Sequence, residues 1–143
     1  MESTLPQPAT AVPVIILAED NSVNAKLVQM LMKSLGVTVD VAPNGEVLLG
    51  ELRRGVYDLV LMDISMPMMD GYEATLKIRD GEAGEANRDI PIIAVTALGG
   101  GESEQTCRDV GMNGFVTKPV NKDSLVAAIE SLGQFRLRGN GKP

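Results

Sequence analysis

The chain has 143 residues, of which 44% are hydrophobic and 22% charged, a composition that predicts one soluble globular domain. Its single cysteine excludes an intrachain disulfide and fits a reducing cytoplasm, and a net charge of −6 without a dense Lys/Arg block argues against nucleic-acid binding. Histidine is absent, which excludes Ser-His-Asp and Cys-His chemistry and any histidine phosphodonor within the chain.

The two ends of the chain differ in composition from the middle. Residues 1–13 carry three prolines and small polar residues, and predict a flexible lead-in. Residues 133–143 include several glycines and basic residues, and predict a flexible tail or a truncated linker. The folded domain is therefore expected over residues 14–132. No apolar stretch approaches the roughly 20 residues that a membrane helix needs, so we expect this segment to make no membrane contact.

Short apolar runs alternate with helical patterns in the first half of the domain. Residues 14–20 predict a strand, and residues 37–42 and 57–63 predict two more. The third contains the apolar run at residues 59–62, which is typical of a buried parallel strand. A helix capped at Asn21-Ser22 follows the first strand, a helix with a cap-like Asn44 follows the second, and a weaker helix is expected over residues 71–80. The first helix carries apolar residues at helical spacing, namely Val23, Leu27, Met30, Leu31 and Leu35.

The same alternation continues in the second half. Residues 90–96 predict a fourth strand, with Pro91 tolerated near its start. Residues 99–101 are three glycines that predict a mobile loop before a short helix near residues 102–110. A fifth strand is expected over residues 114–118 and a last helix over residues 121–132. Five strand–helix units in alternation predict an α/β fold, a five-stranded parallel sheet between two helical layers.

Polar side chains end four of the five predicted strands. Right-handed crossovers place all carboxyl ends at one edge of the sheet, which gathers Glu19, Asp20, Asp63, Thr96 and Lys118. Crowded carboxylates stay charged only if a cation joins them, and oxygen ligands favour Mg²⁺, held by Asp20 and Asp63 with Glu19 acting directly or through water. The lysine adds a positive charge and the threonine a hydroxyl, so the set predicts a phosphoryl-transfer site with Asp63 as nucleophile.

These residues resemble the receiver domains of two-component response regulators. The resemblance covers about residues 14–132 and rests on four motifs in order, which are Glu19-Asp20-Asn21, the run from Leu61 to Gly71, Val95-Thr96-Ala97 and Thr117-Lys118-Pro119. It implies a flavodoxin-like fold with strand order 2-1-3-4-5. It further implies that Asp20, Asp63 and the backbone carbonyl of Ser65 bind Mg²⁺, for which Mn²⁺ could substitute. Thr96 and Lys118 would contact the phosphoryl group, and the Lys118–Pro119 bond would be cis.

The resemblance also implies partners and a switch. Asp63 would accept phosphate from a histidine kinase or a histidine phosphotransfer protein, and the phosphorylated domain would bind a downstream protein target. Thr96 would be drawn inward and Phe115, which stands where the family usually has tyrosine, would follow. This movement would change the surface around the fourth and fifth strand–helix units.

The sequence around Asp63, together with Asn24 and residues 111–114, is most similar to that of the receivers of hybrid histidine kinases. The domain is therefore not expected to be a stand-alone enzyme, although it would catalyse its own phosphorylation and dephosphorylation. The parent protein could be a hybrid kinase.

Two other classes of function stay open. A small-molecule binder on the same fold, such as a flavin protein, would need a phosphate-cradling loop after the first strand, where the sequence Glu19-Asp20-Asn21-Ser22 is acidic instead. A receiver-like interaction module that is not phosphorylated would normally have lost an acid, the threonine or the lysine. All of these residues are present.

Overall fold

The structure is a computed structural model that describes residues 12–97 and 104–137. Within these residues five strands alternate with five helices. The strands are β1 (Ile15–Ala18), β2 (Val39–Ala42), β3 (Leu59–Asp63), β4 (Ile92–Thr96) and β5 (Gly114–Thr117). The helices are α1 (Ser22–Lys33), α2 (Gly45–Arg54), α3 (Gly71–Arg79), α4 (Glu104–Asp109) and α5 (Lys122–Glu130). The expected lead-in up to residue 11, the glycine loop at 99–101 and the tail from residue 138 lie outside the described residues.

All five strands are parallel and follow the order β2-β1-β3-β4-β5, which confirms the predicted flavodoxin-like fold. β3 lies at the centre between β1 and β4, and every one of its residues is buried. A strand covered on both faces needs apolar side chains at successive positions, which explains the unbroken apolar run. The central position also brings the last residue of β3 to the middle of the carboxyl edge.

The core forms two layers, one on each face of the sheet. On one face α1 and α5 pack over apolar residues that include Leu17, Leu61 and Val95. On the other face α2, α3 and α4 pack over residues that include Val60 and Ala94. The three-layer arrangement predicted from the alternation of elements is therefore correct. No helix in the described part of the chain combines the length and hydropathy that crossing a bilayer requires.

Four of the helices begin with a side-chain cap. The cap oxygens accept backbone N–H bonds of 2.8 to 2.9 Å, and they belong to Asn21, Asn44, Asp70 and Asn121. Such caps satisfy N–H groups that the helix itself leaves without a partner. The caps of α1, α3 and α5 lie within a few residues of the carboxyl edge, so they fix the loops that carry the polar residues there.

Helix α1 divides its apolar residues between two faces. Ala25, Val28 and Met32 are buried against the sheet. Val23 and Met30, which belong to the apolar series expected from the sequence, are 74% and 67% exposed. The helix is present as predicted, but apolar spacing alone did not separate the core face from this exposed stripe, because apolar residues occupy more than half of its circumference.

The chain after α5 does not leave the domain at residue 132, where a flexible tail was expected to begin. Gly133 adopts a φ of 83°, and the chain turns back so that Phe135 and Leu137 enter the core layer of α1 and α5, with 9% and 2% of their surface exposed. The Leu137 N–H donates a 3.0 Å hydrogen bond to the Glu130 carboxylate. Residues 133–137, the C-terminal strap, therefore pack as part of the domain because two large apolar side chains are available to bury.

Candidate functional site

The carboxyl edge of the sheet brings together the polar residues that end the strands. Asp63 ends β3 and Thr96 ends β4, and both are 2% exposed. Glu19 follows β1 and is 3% exposed, whereas the next residue, Asp20, is exposed. Lys118 follows β5, with 26% of its side chain exposed. All five residues predicted from the sequence thus lie along one edge, with the most deeply buried carboxylate at its centre.

Three of these residues form a compact acidic cluster. One carboxylate oxygen each from Glu19, Asp20 and Asp63 lies within 4.8 Å of the others. Oxygen donors at this spacing suit a hard divalent cation such as Mg²⁺, which retains several waters and takes one or two carboxylates. The donor set contains no sulfur or nitrogen, so it offers little to a soft metal.

The electrostatics of Glu19 reflect this crowding. Burial, followed by the negative charge of Asp63, raises the pKa of Glu19 from 4.5 to about 7, despite an opposing hydrogen bond from the Asn21 N–H and the nearby ammonium of Lys118. A bound cation would favour the ionised form and remove much of this perturbation.

Lys118 connects the acids with the end of β4. Its Nζ lies 3.4 Å from Asp63 Oδ1 and 3.5 Å from Glu19 Oε1. Its backbone N–H donates a 2.7 Å hydrogen bond to the Thr96 carbonyl, and the Lys118–Pro119 peptide bond is cis. The side-chain ammonium therefore faces the carboxylates while its backbone is tied to the neighbouring strand.

The loop after β3 holds the Asp63 carboxylate in place. The Ser65 N–H donates a 3.2 Å hydrogen bond to Asp63 Oδ1, and the Gly71 N–H donates a 2.9 Å bond to the Ile64 carbonyl. At position 71 a Cβ atom would lie 2.6 Å from the Asp63 carbonyl oxygen, which is too close for any side chain. Glycine is therefore required where α3 begins against the end of β3.

Sequence reasoning did not assign Gly71 or Met68 a role in shaping this loop. Met68 adopts a φ of 70° and is 100% exposed. A positive φ is uncommon for residues other than glycine, asparagine and aspartate. The Asp70-Gly71 pair was a visible signal of this requirement. Glycine is a poor helix former, so its presence directly after an N-cap residue indicates that a side chain is not tolerated there. No comparable signal marked the backbone conformation of the methionine.

The two residues expected to act as a switch occupy adjacent strands. Thr96 is buried at the end of β4, and Phe115 is half-buried in β5, where its ring packs against the α2–α3–α4 core layer. Phe115 lies opposite Ala94 in the parallel register, two residues before Thr96 along β4. The structure therefore places them within one strand pair.

A central strand ending in a buried aspartate, two acids from the neighbouring strand and a lysine facing them define a class of protein. The fold is that of a receiver domain, and the acidic pocket is typical of a Mg²⁺-binding phosphoacceptor site.

Comparison with known proteins leads to the same family. Residues 15–130 match the response regulator receiver domain family, and the chain belongs to it. Among curated proteins it is 41% identical over 120 residues to hybrid signal transduction histidine kinase B of Dictyostelium discoideum, covering 78% of this chain and 6% of that protein. It is 39% identical over 139 residues to histidine kinase 5 of Arabidopsis thaliana, covering 81% of this chain and 15% of that protein.

A solved structure gives the same result. The receiver domain of sensor histidine kinase PA1611 from Pseudomonas aeruginosa PAO1 superposes with a TM-score of 0.70 at 37% identity, covering 80% of this chain and 92% of that one. That structure is described as having a magnesium ion coordinated in the active site cleft. The chain spans only 6% and 15% of the lengths of these two curated kinases.

Proposed function

We propose that Asp63 accepts a phosphoryl group from a histidine of a partner protein, either a histidine kinase or a histidine phosphotransfer protein. The observation that carries this proposal is the buried Asp63 carboxylate with an ammonium 3.4 Å away and two further acids within 4.8 Å. The chain has no histidine, so the donor must lie outside these 143 residues.

Mg²⁺ is the cofactor that fits this site, and Mn²⁺ is expected to substitute because it also prefers oxygen ligands. Asp20, Asp63 and the backbone carbonyl of Ser65 would hold the ion, with Glu19 contributing directly or through water. When bound, the cation supplies positive charge that offsets the charge building up on the transferred phosphoryl group.

The chain's own residues account for the remaining requirements of the transfer. An Asp63 carboxylate oxygen attacks phosphorus in line, a P–O bond forms, and the P–N bond to the donor imidazole breaks with its electron pair returning to nitrogen. The Lys118 ammonium, already next to Asp63 Oδ1, and the Thr96 hydroxyl are each assigned to one phosphoryl oxygen. Attack of water on the aspartyl phosphate would reverse the modification. The Ser65 side chain lies in the loop next to the phosphoacceptor, and we propose that it tunes the rate of this hydrolysis.

The donor protein is expected to dock on the part of α1 nearest the acidic cluster. Val23 is 74% exposed and Leu27 40% exposed, in the first two turns after Asp20. Apolar residues four apart on one helix face suit the side of a partner helix. We expect Leu27→Asp to slow transfer from a phosphorylated histidine protein at least tenfold while leaving labelling by acetyl phosphate unchanged, because the small donor needs no docking surface.

Intact-mass measurement tests the central proposal. The protein is incubated with Mg²⁺ and acetyl phosphate, and one phosphate adduct is expected that disappears in Asp63→Asn and after addition of EDTA. Asp123→Asn, an exposed acid on α5, is the matched control and should be labelled like the unaltered protein. If neither acetyl phosphate nor phosphoramidate gives an adduct in the presence of Mg²⁺, the chain is an interaction module that works without phosphorylation.

The proposed output is a change in the surface of the fourth and fifth strand–helix units. Binding of the phosphoryl group to Thr96 would alter the packing of Phe115 in the adjacent strand, and a downstream protein would recognise the new surface. A parent hybrid histidine kinase and a cytoplasmic location are part of the same proposal, supported by the similarity to receiver segments of such kinases.

In the absence of partners, Mg²⁺ with beryllium fluoride should raise the melting temperature, and Asp63→Asn should remove the gain.

A further inference from the structure

A groove lies along the outer edge of the sheet, between α1 and β2, away from the acidic cluster. Its volume is about 410 Å³, within the range of ligand-binding clefts. The residues that matter for its chemistry are Lys26, Gln29, Met30, Lys33, Val37 and Val39. None of the residues that line it is acidic, and none belongs to the phosphoryl-transfer site.

The floor of the groove is apolar and fixed. Val37 and Val39 are 1% and 3% exposed, whereas Met30 is 67% exposed at the rim. β2 is the edge strand of the described sheet, so its outer side has no strand neighbour there. The Gln29 side-chain amide donates a 2.8 Å hydrogen bond to the Val39 carbonyl, which attaches the helix to the strand and satisfies that edge oxygen.

The rim of the groove carries two lysines in a chain whose net charge is −6. Lys26 and Lys33 are exposed, and neither forms a salt bridge within the described residues. Seven residues on a helix separate them by about 10.5 Å along the axis. The groove therefore presents an apolar centre between two positive charges.

We propose that this groove binds an extended, acidic segment of a partner protein with the pattern acid-x-apolar-x-acid. In an extended chain every second side chain points to the same face, and positions four apart are about 13 Å apart. The flexible Lys26 and Lys33 side chains span that distance, and the central apolar residue then covers the exposed Met30. This surface is independent of the phosphoryl chemistry, so it adds a second attachment point to the domain.

A structural role for the lysines predicts something different. Lysines beside an edge strand commonly prevent sheets from pairing with one another, and in that case the groove would bind no peptide. A titration of the full chain with the acetylated peptide Thr-Glu-Ser-Val-Ser-Glu-Thr, monitored by ¹⁵N-¹H NMR, distinguishes the two interpretations. A second peptide with lysine in place of both glutamates is the charge control.

The expected result is a set of shifts centred on Gln29, Val39 and their neighbours, absent with the lysine peptide and weakened by added salt. Lys26→Glu combined with Lys33→Glu should weaken binding at least about tenfold, which corresponds to roughly 1.4 kcal/mol. Lys77→Glu, a single charge reversal on α3 outside the groove, should leave binding unaltered. The variant with glutamine at both positions keeps the test valid if the charge reversal disturbs folding.

Three results would overturn the proposal. They are the absence of shifts up to the solubility limit of the acidic peptide, equal binding of the two peptides, and binding that survives in both double variants. Labelling by acetyl phosphate should be normal in every one of these variants, so failure here is distinguishable from failure of the phosphoacceptor site.

Discussion

Replacing Leu137 by alanine tests whether the C-terminal strap belongs to the folded domain. The Leu137 side chain is 2% exposed and packs in the core layer formed by α1 and α5. A flexible tail beginning at residue 133, as the composition suggests, would make this substitution silent. A packed strap makes it a core substitution.

The magnitude follows from the burial. Leucine-to-alanine changes in cores cost about 2 to 5 kcal/mol, from lost transfer free energy and from the cavity left behind. Leu137 lies at the margin of its layer, where the strap can relax, so we expect about 2 to 3 kcal/mol. That is a large part of the ~5–15 kcal/mol that stabilises a typical domain. Leu76→Ala, on the exposed side of α3 at 53% exposure, should cost less than about 1 kcal/mol.

Urea denaturation followed by far-ultraviolet circular dichroism measures both values, since the chain has no tryptophan for fluorescence. The slope of the transition should stay the same in both variants while the midpoint of Leu137→Ala falls. Phe135→Ala should behave similarly, because the Phe135 side chain enters the same core layer. If Leu137→Ala and Leu76→Ala unfold at the same urea concentration, the strap does not stabilise the domain and the reasoning is wrong.

Three further substitutions test other features. Met68→Asn should raise the free energy of unfolding by about 0.5 to 1 kcal/mol in urea, because the residue is fully exposed at φ 70° and asparagine tolerates that conformation better. Arg79→Lys should lower the free energy of unfolding by about 2 kcal/mol or more, since the guanidinium donates to the carbonyls of Arg88, Ile90 and Gly111 and a lysine cannot reproduce the fork. Arg53→Lys, which has one exposed bond, is the control and should change little. Hydrogen bonding to Asp40 raises the pKa of Tyr57 to about 12, so stability should fall between pH 10 and 12 as the unfolded chain ionises first. Asp40→Asn should return the ultraviolet titration of Tyr57 towards pH 10, and an unchanged titration would show that the bond is not the cause.

The fold was predictable because parallel sheets leave a strong pattern. The apolar run before Asp63 is typical of a strand buried on both faces, and alternation with helices then leaves few topologies. The acidic cluster could be predicted because its acids stand at the ends of two predicted parallel strands, which requires no knowledge of the distances between them. Strand order came from the family resemblance, since periodicity does not say which strands are neighbours.

Other features depend on contacts that a linear pattern does not encode. The exposed face of α1 carries Val23 and Met30, and apolar character at helical spacing cannot say which face meets the sheet. The C-terminal strap was missed because the glycines and basic residues of the whole stretch 133–143 outweighed the two large apolar residues, Phe135 and Leu137. The conformation of Met68 depends on how the loop closes onto α3, which is a tertiary constraint.

The close approach at Gly71 has a consequence for how this domain can vary. Position 71 contributes no side chain, yet any added carbon would collide with the backbone oxygen of Asp63 and displace the central residue of the site. In a saturation mutagenesis library, substitutions at position 71 should therefore abolish phosphorylation as consistently as substitutions of the site residues do. At Met68, three residues earlier in the same loop, the side chain is fully exposed, so only the positive φ restricts substitution there, and it disfavours β-branched residues. Steric constraints therefore exclude substitution at position 71 and allow it at position 68, although both positions belong to one short loop.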